Sequence, residues 1–226
     1  IAAYGLERTA RHVRDAGLRV SGVCRGGMFT LDGATEDNRR AVDEAAALGA
    51  DCLVMVVGGL PAGSRDLGAA RDIVAEGIAT LLPYARARNV KLALEPLHPM
   101  TCADRSVLST LAQALNLAEA AGPEVGVAID VYHVWWDPAL AASIARARGR
   151  IHAFHVCDWR VPTRDLVFDR AMMGDGAIDI AAIRGLVETA GYSGLIEVEI
   201  MSTQDWWTRP PDDVLTAMKE RFSACV

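Results

Sequence analysis

The sequence predicts an α/β protein, a parallel sheet rolled into a barrel and covered by helices. Short β-rich runs alternate with longer helical stretches, and strand ends recur roughly every 25–45 residues, the spacing of βα units. The strand runs are almost continuously apolar, as parallel strands buried on both faces must be. A third observation separates barrel from open sheet. Alternate residues in each strand divide into a bulky face and a face of small residues that ends in a polar side chain.

The strands fall at 18–24 (LRVSGVC), 51–57 (DCLVMVV), 90–95 (VKLALE), 125–130 (VGVAID), 151–157 (IHAFHVC) and 195–200 (LIEVEI). Helical stretches lie between them at 36–49, 66–89 and 103–122, each closing on Gly or Asn just before the next strand, the usual helix stop. Val90, Leu92 and Leu94 share the bulky face of one strand. Val125, Val127 and Ile129 share that of the next, followed by His152, Phe154 and Val156, then Ile196, Val198 and Ile200. The opposite faces run Ala93 then Glu95, Gly126 and Ala128 then Asp130, Ala153 then His155, and Glu197 then Glu199. Neither GxGxxG nor a P-loop occurs, which argues against an open nucleotide-binding sheet. Small inward residues with a polar group at the C-terminal strand end fit a (β/α)8, or TIM, barrel, where chemistry sits at that end. With no Pro/Gly/Ser linker and no low-complexity segment, residues 1–226 read as one domain.

Four successive strands thus present Glu95, Asp130, His155 and Glu199 at one level. Three carboxylates and an imidazole form an oxygen-rich donor set suited to one divalent ion, Mn2+ first, with Mg2+, Co2+ or Zn2+ as alternatives. Glu197 faces inward one layer deeper. An ion pair with Lys91 is expected there, because a buried unpaired charge is costly; Glu197 is also the alternative ligand to Glu199.

His133, three residues past Asp130, is placed to turn back over the site as a substrate-contacting or proton-relaying group. Arg170, ahead of Gly174-Asp175-Gly176, is a candidate clamp for an anion or hydroxyl, and Asp179 reads as the next helix N-cap. His98, in the loop after Glu95, and Arg25, in CRGGMF, are further candidate substrate contacts, with a plain loop role as the alternative for each. Trp135 and Trp136 can stack on a sugar ring or pack loop against helix. His12 and His152 read as structural.

The net charge of −6 argues against a nucleic-acid partner. No apolar run is long enough for a bilayer. Five cysteines, an odd number without a CxxC pair, fit a reducing cytoplasm rather than a disulfide framework. They read as inert thiols, Cys24 and Cys157 being the two placed to reach a site.

In order along the chain, ALEPLHP, AIDVYHVWWDP, FHVCDW, DRAMMGDG and GYSGLIEVEI resemble the xylose isomerase-like TIM barrels, the sugar phosphate isomerases/epimerases, from residue 18 to at least residue 200. That superfamily includes ketose 3-epimerases, inosose isomerases and dehydratases, and single-barrel AP endonucleases. The resemblance implies that Glu95, Asp130, His155 and Glu199 bind one metal ion, that Glu95 and Glu199 are the acid/base pair, and that His133 and Arg170 hold substrate oxygens. No Lys/Arg cluster joins the site beyond Arg25 and Arg170, which favours an unphosphorylated sugar or polyol substrate, and the resemblance makes a homo-oligomer an expectation. Epimerisation, isomerisation and dehydration of a keto-inositol or 3-keto sugar share one first step, and a non-catalytic polyol-binding barrel is the alternative outside catalysis. An endonuclease would need histidines on earlier strands, which here end in VCRGG and VVGG. Where the epimerases carry a further substrate-contacting glutamate, this chain has Thr101. In these families the Glu95 strand is the fifth of eight, so the N-terminal part of the barrel, about two strands and one helix, is expected to be missing from this sequence.

Overall fold

The computed structural model describes every residue except Ala2. All six expected strands form, and they pair in parallel in the order β1 (Val23–Gly27), β2 (Leu53–Val56), β3 (Leu92–Leu94), β4 (Val125–Asp130), β5 (Ile151–Val156) and β8 (Ile196–Val198). The sheet curls into part of a barrel, with six of the eight strands of a closed (β/α)8. Between β5 and β8 a short antiparallel ribbon, β6 (Asp158–Trp159) and β7 (Arg170–Ala171), stands apart from the sheet.

The connecting helices are α1 (Leu6–Asp15), α2 (Ala34–Leu48), α3 (Leu67–Arg86), α4 (Leu111–Ala121), α5 (Val131–Val134), α6 (Leu140–Arg146), α7 (Ile180–Thr189) and α8 (Pro211–Cys225). Four of them, α3, α4, α5 and α7, start on a side chain that accepts otherwise unpaired N–H groups. Asp66 caps α3, Thr110 caps α4 and Asp179 caps α7, as its position in the sequence suggests. The bulky strand faces pack under these helices as one core. A separate small cluster of Cys52, Val54, Ala93, Ala128 and Ala153 fills the barrel interior. The division into two faces follows from strand alternation alone.

Three local expectations are corrected. The first strand lies at Val23–Gly27 rather than 18–24. Its ladder runs through two glycines, and a Cβ on Gly27 would meet the Val56 carbonyl oxygen at 2.1 Å. Close approach of two backbones selects Gly there, whatever its low strand propensity. The helix expected over 103–122 starts only at Leu111, because Val107 N–H and Gly58 N–H tie the preceding loop to the end of β2. His152 does not join the helix-facing row. The register between β4 and β5 shifts at this point, leaving His152 as an extra residue, and its ring lies over Gly126 on the inner face.

Candidate functional site

Each of the four polar strand ends is delivered by its own backbone. Glu95 follows β3 and donates its N–H to Met55 O. Asp130 closes β4 and caps α5, accepting from Tyr132 N–H at 2.9 Å. His155 pairs in register with Asp130 on β5, and Glu199 continues β8 by donating its N–H to Val156 O. One ligand atom from each of Glu95, Asp130, His155 and Glu199 lies within 4.8 Å of the others. Glu95, Asp130 and His155 are buried, and Glu199 is half-buried.

His155 Nδ1 sits between two carboxylates, 3.3 Å from Glu95 Oε1 and 3.5 Å from Glu199 Oε2. Burial pushes the Glu95 carboxyl up, against the opposing pull of His155. Burial would push the His155 imidazole down, but the adjoining Glu199 and Glu95 carboxylates hold it well above its usual value. Burial also works against charge on Asp130, and the Arg170 guanidinium overcomes it and holds that carboxyl low.

Arg170 reaches the cluster from the ribbon. Its Nη1 donates to Asp130 Oδ2 at 2.8 Å and to Glu199 Oε2 at 3.3 Å, and the guanidinium lies 4.5 Å from the Tyr132 ring centroid. His133 is beside it, with Nε2 3.2 Å from Arg170 Nη2. Burial lowers the His133 imidazole to about 3, so the ring is neutral. His98 N–H donates to His133 Nδ1, which assigns the remaining ring proton to Nε2, so the approach of Arg170 Nη2 to that atom is a contact between two donors and not a hydrogen bond.

His98 caps the short 3-10 turn Pro99–Thr101 and packs between Trp159, tilted at 4.9 Å between ring centroids, and Trp136, edge-on at 5.8 Å. Thr101 bonds within the same loop, to His98 O. Trp135 packs against Trp159 and the helical core rather than standing free over the cluster. Arg25 is not brought to the cluster. It lines a groove against α2 with Asp37 and Glu44, while its neighbour Cys24 lies within the electrostatic reach of Glu95 and Glu199. Cys157 is buried with Sγ 3.7 Å from Arg170 Nη1.

The expected Glu197–Lys91 ion pair does not form. Glu197 accepts from Ser21 Oγ at 2.7 Å across the barrel floor, and Lys91 is solvent-exposed, so its ammonium keeps its hydration. His12 is exposed on α1. Two residues escaped the sequence reading. Tyr132, beneath Arg170, was not singled out within AIDVYHVWWDP. Asp158 was not singled out within FHVCDW, although an aspartate ahead of a Gly-Asp-Gly turn is the signal that could have marked it.

The donor set suits a divalent cation. Glu95 Oε1 and His155 Nδ1 are buried and face one another at 3.3 Å without a well-aligned hydrogen bond, and three carboxylates meet with Arg170, among the described residues, as the permanent counter-charge. An incomplete parallel barrel with such a cluster at its C-terminal strand ends defines a TIM-barrel protein with its site in the usual place. The chain belongs to the xylose isomerase-like TIM barrel family, whose model matches residues 1–221.

Among solved structures, protein SMc04130 from Sinorhizobium meliloti 1021 is 57% identical, with a TM-score of 0.97 over 99% of this chain and 84% of that one. The IOLI protein with a bound zinc atom is 18% identical, with a TM-score of 0.81 over 98% of this chain and 81% of that one. The 3-keto-D-glucoside 4-epimerase YcjR from E. coli is 18% identical, with a TM-score of 0.75 over 96% and 84%. These last two likenesses are of fold. No curated protein matches the chain by sequence. Among the described residues, no helix is long and apolar enough to cross a membrane.

Proposed function

We propose that the protein is a divalent-metal-dependent isomerase or epimerase of a small sugar or polyol, moving a proton through an enediolate. The observation that carries this reading is the convergence of Glu95 and Glu199 on His155 from strands that are not neighbours in the sheet. Two carboxylates approaching one point from different sides are what removal and return of a proton on opposite faces of a carbon require.

Glu95, Asp130, His155 and Glu199 would hold the ion, and their oxygen-rich set favours Mn2+ over a soft metal. When bound, the ion supplies Lewis acidity that polarises a carbonyl and makes the adjacent C–H acidic. Burial strengthens the Glu95 carboxylate as a base, and it takes that proton. Glu199 delivers one from the other side, giving the epimer on the same carbon or the isomer on its neighbour. Arg170 and the Nε2–H of His133 hold substrate oxygens, and the guanidinium compensates negative charge as it develops. The acidic surface supports a small-molecule substrate over a nucleic acid.

The test is a screen of ketoses, keto-inositols and 3-keto-glycosides with Mn2+, read by NMR in D2O. One of them exchanges an α-proton with solvent. Glu95→Gln and Glu199→Gln each lower that rate by about a hundredfold or more with the fold intact. Near-normal turnover in both variants overturns the acid/base assignment. A metal-loaded protein that exchanges no substrate is a binding module instead.

A further inference from the structure

Asp158 accepts more hydrogen bonds than any other carboxylate among the described residues, and none of them comes from the four cluster residues. It is 1% exposed. Its Oδ1 accepts from Trp159 N–H at 2.8 Å and Ile178 N–H at 2.9 Å, and its Oδ2 from Gly174 N–H at 3.0 Å and Gly176 N–H at 2.9 Å. A carboxylate has about four acceptor positions. All are taken by backbone amides, so Asp158 has none left for substrate.

The placement of those amides gives the group its role. Asp158 sits on β6, which pairs with β7 in the register Asp158 with Ala171 and Trp159 with Arg170. Gly174, Gly176 and Ile178 belong to the turn that leaves β7. One buried charge therefore binds one arm of the ribbon to the exit of the other, and Arg170 lies in the stretch held between them. Gly176 has no room for a side chain, since a Cβ would come within 2.5 Å of Asp158 Oδ1 and 2.4 Å of Trp159 O. The same carboxylate orients Trp159, whose ring meets His98, Tyr132 and Trp135.

Arg170 depends on such a frame. The residue is 3% exposed and its guanidinium reaches Asp130 and Glu199, but its Nε has no hydrogen-bond partner, so the head group's place follows its backbone, held by the pairing with Trp159 and by its N–H donating to Met201 O. We propose that Asp158 is a positioning residue whose carboxylate, by gathering the amides of Trp159, Gly174, Gly176 and Ile178, sets the Arg170 guanidinium over the Glu95–Asp130–His155–Glu199 cluster. What Arg170 then does to substrate rests on the function proposed above; its placement does not.

The test is Asp158→Asn in the whole chain. Asparagine keeps one acceptor oxygen and turns an NH2 donor toward backbone donors. The readout is the 15N–1H signal of the buried Arg170 Nε–H, identified by its loss in Arg170→Lys. In the unchanged protein this proton exchanges slowly and is shifted by the Tyr132 ring. In Asp158→Asn the signal moves toward that of an exposed arginine and exchanges at least about tenfold faster, while the methyl signals of Leu92 and Ile129 stay in place. Should that variant not fold, Asp158→Glu, which keeps the charge but carries its oxygens out of line with these four amides, produces the same movement.

An Arg170 signal unmoved in the folded variant makes Asp158 a loop staple and overturns the proposal. With a turned-over substrate in hand, Asp158→Asn slows exchange by about 10–100-fold in the unchanged background and by less than about threefold in Arg170→Lys. Equal losses in both backgrounds overturn it. A chain that neither binds Mn2+ nor turns over substrate but shows the Arg170 shift sinks the function reading and leaves the positioning role standing.

Discussion

Two polar clusters lie inside the same barrel, one at each end of the strands, and they are built in opposite ways. At the C-terminal ends, Glu95, Asp130, His155 and Glu199 converge, and Glu95 Oε1 and His155 Nδ1 are buried without a well-aligned hydrogen bond. At the N-terminal ends, a cavity of about 350 Å³ is lined by Arg19, Ser21, Asp51, Lys91, His152 and Glu197. There the charges are answered locally or by water, and the one buried atom without a partner among the described residues at that end, His152 Nε2, belongs to an imidazole that burial keeps from charging. Arg19 pairs with Asp51 at 2.6 Å, Glu197 takes the Ser21 hydroxyl, and Lys91 faces water. Inward-facing charge is therefore no mark of chemistry by itself. The mark is charge that converges and is left without partners, since desolvation is then repaid only by a ligand.

The largest expected difference between the two ends is in metal affinity. Asp130→Asn or His155→Ala weakens Mn2+ binding, measured by calorimetry, by more than about a hundredfold, while Glu197→Gln leaves it unchanged. A comparable loss from Glu197→Gln would erase the distinction and make that residue a ligand.

Packing comes next. Gly126→Ala places a methyl 2.2 Å from Arg150 O and 2.5 Å from the His152 ring, and should destabilise the fold by about 1–3 kcal/mol in urea unfolding. A neutral result would mean that the floor is slack.

The third difference is in pH response. Burial lowers the His152 imidazole from 6.5 to about 4 in the folded protein. The unfolded chain takes up this proton first as pH falls, so the stability held by the neutral ring is complete above pH 6.5 and is lost progressively toward pH 4. At pH 5 the loss is about 1–2 kcal/mol. His152→Gln should flatten the fall in Tm between pH 7 and pH 5 relative to the unchanged protein; equal slopes would show that the ring is solvated.

The smallest effect is on the floor bond itself, where Glu197→Gln costs about 1 kcal/mol or less.

Much of this was legible in the sequence, for a physical reason. Period-two alternation requires Ala93, Ala128 and Ala153 to share a face with Glu95, Asp130 and His155, so the barrel interior and the members of the cluster could be read without coordinates. His152 defeated the same rule because a register shift adds one residue, which no composition signals. The first strand was misplaced because its ladder needs glycine, a poor strand former, where two backbones meet. The Lys91 pairing failed because a long flexible cation gains more from water than from a half-buried carboxylate. Arg170 and His133 were legible as candidates, but their contact with one another was not. They are separated along the chain by the ribbon and by β5, and only the folded loops bring them within 3.2 Å.

The sequence by itself determined the alternation of strands and helices, the two faces of each strand and the four side chains at the C-terminal ends, because these follow from local periodicity. Tertiary structure alone decided which of those charges would be satisfied and which left converging, and that Asp158 would hold the turn behind Arg170. Those outcomes depend on hydrogen bonds between segments far apart in the chain, and no local pattern encodes them.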